Sequence, residues 1–213
     1  MAAVSYPRKR LWTRAEYHRA AEVGLFRPEE RLELLEGELI YKMSPQSNPH
    51  ATGIGLAADA LRDAFGSNFH IREEKPMILS DLSEPEPDVA VVRGKRRGRL
   101  QHPTPEEVAL VLEVSESTLA FDRREKAVAY ARSGVAEYWI LNLPQRRLEV
   151  HRDPGETGPG EWGYRTLHIV TEAEQVTPLS LPETRISVAE MLPSPLTGEA
   201  TALPAEAPET GEI

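Results

Sequence analysis

Hydrophobic positions recur with two periods along the chain, and the change between them predicts a mixed sheet with helices packed against it. Asn48 and Pro49 make a favourable helix start, and an apolar stripe with helical spacing follows at Ile54, Ala57, Ala58, Leu61 and Phe65. A second amphipathic helix is predicted over 122–133, where Gly134 stops it. A short helix is predicted from Thr13 to Ala21, because Thr13 and Glu16 have the spacing of a capping box.

Between these helices the pattern favours strands. The Glu36-Gly37 pair predicts a tight hairpin, and strands are predicted over 69–79, 87–92, 108–114 and 137–143, with a final hairpin of 148–152 and 164–169. The run over 108–114 is almost entirely apolar, as in a strand that is buried on both faces. The predicted fold class is therefore α/β (α+β): a mixed β-sheet flanked by helices, with an additional N-terminal helix and hairpin and a C-terminal hairpin.

Composition narrows the kinds of site that the chain can carry. The 213 residues include no cysteine, which excludes thiolate zinc sites, iron–sulfur clusters and cysteine nucleophiles. The net charge of -9 argues at first against a nucleic-acid partner. However, residues 193–213 hold four glutamates and no basic residue, and the remainder carries only -5.

The chain divides into three predicted regions. Residues 1–10 are expected to be flexible, residues 11–192 to form one folded domain, and residues 193–213 to form a disordered, acidic, proline-rich tail. No apolar run is long enough for a membrane helix, and no apolar stretch follows the basic residues of the first ten positions. A cytoplasmic location without membrane contact is expected.

One carboxylate stands inside the most apolar strand. Glu113 follows Val111 and Leu112, and burying it without a partner would cost several kcal/mol, so it needs a cation, a metal or hydrogen bonds. Asp88 begins the preceding predicted strand, and an antiparallel pairing would bring the two carboxylates together. Two such carboxylates are ligands suited to Mg²⁺.

A lysine on the following helix completes this candidate site. Asp122 and Lys126 lie four residues apart on one helical face, which continues to Tyr130. A lysine directed at a metal site can stabilise charge that develops on a phosphate. Alternatively, Glu113 could pair with Arg123 or Arg124, and Lys126 could simply be solvated.

These residues resemble a known pattern. Pro87-Asp88 followed by Glu113-Val114-Ser115 is similar to the PD-(D/E)XK nuclease signature. More narrowly, the chain resembles the Uma-type family of restriction endonucleases over about residues 11–192. The segments that carry this resemblance are Leu34-Leu35-Glu36-Gly37-Glu38-Leu39, Ser44-Pro45 with His50, Glu86-Pro87-Asp88-Val89, Glu113-Val114-Ser115 with Asp122, Lys126 and Tyr130, and Gly134-Val135-Ala136-Glu137-Tyr138-Trp139.

The resemblance implies a restriction-endonuclease-like fold and a metal-dependent endonuclease that hydrolyses phosphodiester bonds, most readily in DNA. It makes Asp88 and Glu113 ligands of Mg²⁺ or Mn²⁺. Ser115 occupies the usual lysine position, and Lys126 takes over that role as the third catalytic residue. The family pattern also makes Glu36, His50, Ser115 and Tyr130 candidate cleft residues, and a homodimer is expected.

Three further questions stay open at this level. The segment 93–99 places five cations in seven residues, and it is either a solvated loop or a set of nucleic-acid contacts formed by Arg93, Lys95, Arg96, Arg97 and Arg99. The alternative to an enzyme is a catalytically degenerate module that keeps the nuclease fold and binds nucleic acid or protein. His50 could likewise be a packed histidine at the start of a helix.

Overall fold

A six-stranded mixed sheet forms the centre of the computed structural model, which describes residues 9–27, 29–42, 47–97 and 100–195. The strands of this sheet are β3 (Phe69–Glu73), β4 (Val89–Arg93), β5 (Val108–Ser115), β6 (Glu137–Asn142), β7 (Arg147–Gly158) and β8 (Glu161–Thr171). They lie side by side in chain order, and every neighbouring pair is antiparallel except β5 and β6. The predicted mixed sheet and its fold class are confirmed.

Two smaller strand pairs and the helices complete the fold. The strand pairs are β1 (Leu32–Leu35) with β2 (Glu38–Tyr41), and β9 (Gln175–Val176) with β10 (Ile186–Ser187). The helices are α1 (Arg14–Glu22), α2 (Asn48–Phe65), α3 (Leu119–Phe121), α4 (Ala127–Arg132) and α5 (Val188–Met191). A π-helical segment, Asp122–Lys126, joins α3 to α4. Short 3₁₀ turns at Gly66–Asn68 and Pro105–Glu107 precede β3 and β5.

Helices cover both faces of the sheet. The buried stripe of α2 packs with α5 against one apolar cluster, which includes Leu112, Val114 and Trp139. On the opposite face, α4 packs against a second cluster that includes Val111, Tyr138 and Ile140. Side chains alternate along a strand, so Glu113, next to Leu112 and Val114, points to the face that α4 covers. The helical segment 119–132 also supplies the crossover that the parallel pair β5–β6 requires.

The N-terminal elements close over one edge of this architecture. Glu36 and Gly37 both have positive φ, 49° and 80°, as the two-residue hairpin between β1 and β2 demands. The hairpin is fixed to a loop before β4, because the Glu84 amide donates to the Leu34 carbonyl at 2.7 Å. The side chain and backbone of Thr13 form the predicted capping box with Glu16 at the start of α1.

Three predicted segments differ in extent from the structure. The strand predicted over 69–79 ends at Glu73, because Glu74 adopts a left-handed φ of 48°. The helix predicted over 122–133 begins at Leu119 and contains the π-helical turn, and the final hairpin is longer than predicted. The pairing of β9 with β10 and helix α5 had no counterpart in the predicted elements.

Parts of the predicted domain division lie outside the described residues, namely 1–8 and 196–213. The division at residues 11 and 192 therefore stays a prediction. Within the described ranges, no helix combines the length and the apolar character needed to cross a membrane.

Away from the cleft, an ion pair between a partly exposed arginine and a buried carboxylate joins the π-helical segment to β7. Arg123 donates two hydrogen bonds to the Glu149 carboxylate, at 2.7 and 2.6 Å, and Asn142 and Arg147 also donate to it. Burial opposes ionisation of Glu149, but the contacts with these three donor residues prevail and lower its pKa to about 2. The pairing of Arg123 with Glu149 leaves Glu113 to another partner.

We expect Glu149→Gln to lower the free energy of unfolding by about 2 kcal/mol at neutral pH, since Arg123 is partly exposed and solvent screens part of the attraction. Because the pKa of Glu149 is lower in the folded state, its ionised form stabilises the fold fully above the unfolded pKa of 4.5. This contribution to the free energy of unfolding is lost as the pH falls through about 2. Urea unfolding should therefore show a gap between wild type and variant that narrows below about pH 4. The exposed Glu156, changed to glutamine on the same hairpin, is the control, and a gap independent of pH would contradict the prediction.

Candidate active site

Asp88 and Glu113 meet at one end of the central strands. Val89 pairs with Leu112 in the antiparallel register of β4 and β5, which sets Asp88 opposite Glu113. The amide of Asp88 donates to Glu113 Oε2 at 3.3 Å, and the amide of Val114 donates to Asp88 Oδ2 at 2.8 Å. Both side chains are almost completely buried, with 5% and 2% of each residue exposed. The structure therefore brings together the two carboxylates that the sequence singled out.

Lys126 and Tyr130 reach the same carboxylate from the helix that covers this face. Lys126 Nζ donates to Glu113 Oε1 at 2.8 Å, and the Tyr130 hydroxyl donates to the same oxygen at 2.8 Å. Lys126 is only 5% exposed. Glu113 thus pairs with Lys126 and not with Arg123 or Arg124, and Lys126 is not a solvated surface lysine.

The π-helical segment explains how the helix presents these groups. Asp122 and Lys126 stand at its two ends, and both are buried. A π turn is wider than an α turn and is frequent at functional sites. The Asp122 carboxylate accepts a hydrogen bond from Thr118 Oγ1 at 2.7 Å, which orders the strand-to-helix connection after β5.

A further carboxylate, Glu33, enters the site from β1. Its Oε1 lies 3.6 Å from Lys126 Nζ, and its Oε2 accepts the amide of Glu86 at 2.9 Å. Sequence reasoning missed this residue, although an acidic residue between Leu32 and Leu34 was a signal of the same kind as Glu113. Glu33 is buried where the hairpin packs against the loop at Glu86, a contact that the local sequence does not indicate.

His50 lies at the rim, in the first turn of α2. Ser47 caps the helix by accepting the His50 amide, and His50 Nε2 lies 3.7 Å from Asp88 Oδ2. Interaction with Asp88 raises the pKa of His50, although burial opposes the rise. The histidine therefore faces the candidate site and is not confined to the core.

Burial and mutual repulsion set the charges of the central pair. Burial raises the pKa of Glu113 to about 8, and Asp88 adds to the rise while Lys126 opposes it. Burial also opposes ionisation of Asp88, but His50 and Lys126 outweigh it and lower the pKa of Asp88. Burial and repulsion from Asp88 thus oppose ionisation of Glu113, whereas Lys126 and any further cation favour it.

These groups form the floor and walls of a cleft of about 560 Å³. Its lining includes five carboxyl side chains against three cationic ones, those of Arg31, Lys42 and Lys126. The acidic members are Glu33, Asp88, Glu113, Glu116 and Asp122. An excess of carboxylates repels a phosphate unless a cation offsets it.

The donor set fits a hard divalent cation. Mg²⁺ takes oxygen ligands and is usually held by one or two carboxylates together with waters and substrate phosphates, and Asp88 and Glu113 are such a pair. Within the described ranges, no group of three or more acidic or histidine side chains is arranged to enclose a metal ion. In an arrangement of this kind the two carboxylates are the protein ligands, and water and substrate take the remaining positions.

Other sequence-predicted residues lie outside the lining of this cleft. Glu36 is at the hairpin turn, where it pairs with Arg132, while Ser115 and Tyr130 are buried beneath the surface of the site. The cationic segment follows β4 at the end opposite Asp88, about 16 Å away for five residues of strand. None of the described members of that segment, 93–97, lines the cleft, and Arg99 lies outside the described residues.

Comparisons with known proteins agree with this architecture. The model of the Uma2 family, described as "Putative restriction endonuclease", matches residues 14–189. A solved structure from Anabaena variabilis ATCC 29413, described as a "putative nuclease belonging to DUF820", superposes with a TM-score of 0.62 at 15% identity, and the match covers 84% of this chain and 96% of that one. No curated protein matches the chain.

We expect the pairing of Lys126 with Glu113 to be measurable as a coupling free energy. Lys126→Met should lower the free energy of unfolding by about 3 kcal/mol, because it strands buried carboxylates without their cation. In the double variant with Glu113→Gln the loss should be smaller than the sum of the single losses by about 1 kcal/mol or more. Urea unfolding of the four proteins measures this cycle.

Arg132→Met is the control on the same helix, since Arg132 and its partner Glu36 are both partly exposed. Its effect should stay below about 1 kcal/mol. Additive losses in the cycle would show that Lys126 and Glu113 do not act as a pair.

Proposed function

Because the chain belongs to the Uma2 family, we propose that it is a metal-dependent endonuclease that hydrolyses phosphodiester bonds, with DNA as its substrate and Mg²⁺ as its cofactor. The observation that carries the proposal is the contact of Lys126 with Glu113 beside Asp88, at the floor of an open cleft. This contact favours a catalytic site over a non-catalytic module. Ser115 stands where the nuclease signature has a lysine, and Lys126 brings an amino group to the same carboxylate from the following helix.

Asp88 and Glu113 would hold the ion through their carboxylate oxygens. When bound there, the ion supplies a Lewis acid that polarises a phosphoryl oxygen and makes a coordinated water more acidic. The local excess of carboxylates supports this assignment, because a divalent cation would offset both the repulsion between them and the desolvation of Glu113.

The side chains of this protein have separable tasks in the proposed reaction. Lys126 holds a fixed positive charge beside the scissile phosphate and stabilises the negative charge that develops on it. The water oxygen forms a bond to phosphorus and loses a proton, while the bond from phosphorus to the leaving sugar oxygen breaks and that oxygen is protonated. Arg31 and Lys42 stand on the cleft wall, where they can bind the flanking phosphates.

Cleavage assays test this function directly. Wild-type protein with Mg²⁺ or Mn²⁺ should cut plasmid or single-stranded DNA, and Asp88→Asn or Lys126→Met should each lower the rate by about a hundredfold or more. Glu156→Gln, far from the cleft on an exposed strand, should retain full activity. Cleavage that persists in both site variants would refute the assigned site.

Metal binding provides a second readout that does not depend on activity. Mg²⁺ at about a hundred times its Kd should raise the free energy of unfolding of wild type by about 2.7 kcal/mol, and Asp88→Asn should lose most of this stabilisation. Calorimetric titration and thermal unfolding measure the two quantities. Absence of both metal binding and cleavage would favour the catalytically degenerate binding module.

Homodimer formation and a cytoplasmic location stay predictions.

A further inference from the structure

We propose that the cleft accepts an unpaired nucleic-acid strand in preference to a regular duplex, with Tyr41 as a stacking surface for a base. This inference rests on the proposed nuclease function and concerns the form of its substrate. Three observations carry it: the depth of the acidic residues, the aromatic residue at the cleft mouth and the position of the nearby cations.

Depth is the first constraint. Asp88, Glu113 and Lys126 are each 5% exposed or less, so a scissile phosphate must enter the cleft to reach them. The volume of about 560 Å³ lies within the range of small-ligand pockets, roughly 300–1,000 Å³. Such a space suits one or two nucleotides of a flexible strand, whereas the phosphates of a duplex are held on a broad, stiff cylinder.

Tyr41 supplies the second observation. It ends β2, lines the cleft and is 55% exposed, which is a large exposed fraction for an aromatic residue beside a polar site. Its hydroxyl interacts with the Glu30 carboxylate, which favours a fixed ring position. Phe121, half-buried after β5, also lines the cleft. Exposed aromatic rings beside a backbone-binding groove are the usual means of holding single strands without sequence preference.

Cations next to Tyr41 supply the third observation. Arg31 and Lys42 flank the β1–β2 hairpin at its open end, where the Lys42 amide donates to the Arg31 carbonyl at 2.8 Å. Lys42 Nζ also donates to the Glu86 carbonyl at 2.8 Å, and Arg31 pairs with Glu74 at 2.9 Å, so both side chains are oriented by neighbours. The two cations and the ring thus belong to one hairpin and line the same cleft, where the cations can hold the backbone of a strand whose base stacks on Tyr41.

A binding experiment tests the inference. The full chain is titrated with a labelled single strand of about 12 nucleotides, within the usual site sizes of roughly 4–16, and with the blunt duplex of the same sequence. Ca²⁺ replaces Mg²⁺, and a gel of each sample verifies that the DNA stays intact. Fluorescence anisotropy should give a Kd for the single strand about tenfold or more below that for the duplex.

Substitutions in the β1–β2 hairpin test which side chains are responsible for single-strand binding. Tyr41→Ala should weaken single-strand binding about tenfold, whereas Tyr41→Phe, which keeps the ring, should stay within about threefold. Leu167→Ala removes an equally exposed apolar side chain on β8 and should change nothing. Arg31→Gln should reduce the slope of log Kd against log salt by about 0.7, the value for one phosphate contact on a single strand.

The outcomes separate this inference from the nuclease proposal. Equal or tighter binding of the duplex, or wild-type affinity in Tyr41→Ala, overturns the single-strand inference even when Mg²⁺-dependent cleavage is intact. Failure to bind either oligonucleotide, together with failure to cleave, overturns both proposals.

Discussion

The buried carboxylate of Glu113 is the constraint on which the rest of the site depends. Strand alternation directs it under α4 and away from solvent, where an unpaired charge would cost several kcal/mol. Lys126 and Tyr130 satisfy one of its oxygens, and the Asp88 amide contacts the other. The crossover helix must therefore hold Lys126 and Tyr130 over this carboxylate, and the π-helical segment ends at Lys126.

Stability alone does not explain this arrangement. A buried ion pair gains little over apolar residues of the same volume, because desolvation consumes most of the attraction. Here several carboxylates share one buried lysine, and burial, with repulsion from Asp88 adding to it, raises the pKa of Glu113 to about 8. A site that is short of positive charge is costly for folding but prepared for a divalent cation, which is the physical link between the fold and the proposed chemistry.

The N-terminal hairpin gives the cleft its second wall. Glu33 approaches Lys126 on the inner side, and Arg31, Tyr41 and Lys42 line the mouth. All four come from a segment more than forty residues before Asp88, and the hydrogen bond between Glu84 and Leu34 fixes the hairpin to the loop that leads to β4. The hairpin wall is thus joined to the Asp88 end of the cleft through a short, ordered connection.

The sequence alone indicated most of the central strands and helices and three of the residues that meet at the candidate site, Asp88, Glu113 and Lys126. The apolar run around Glu113 indicates that this carboxylate requires a partner, and the helical spacing after Asp122 makes Lys126 one of the candidates. Tertiary structure decided the rest. Whether Glu33 faced solvent or Lys126 depended on where the hairpin packed, and whether the cationic segment after β4 could approach Asp88 depended on strand length. Periodicity is a local property, whereas proximity between distant segments is set only by how they pack.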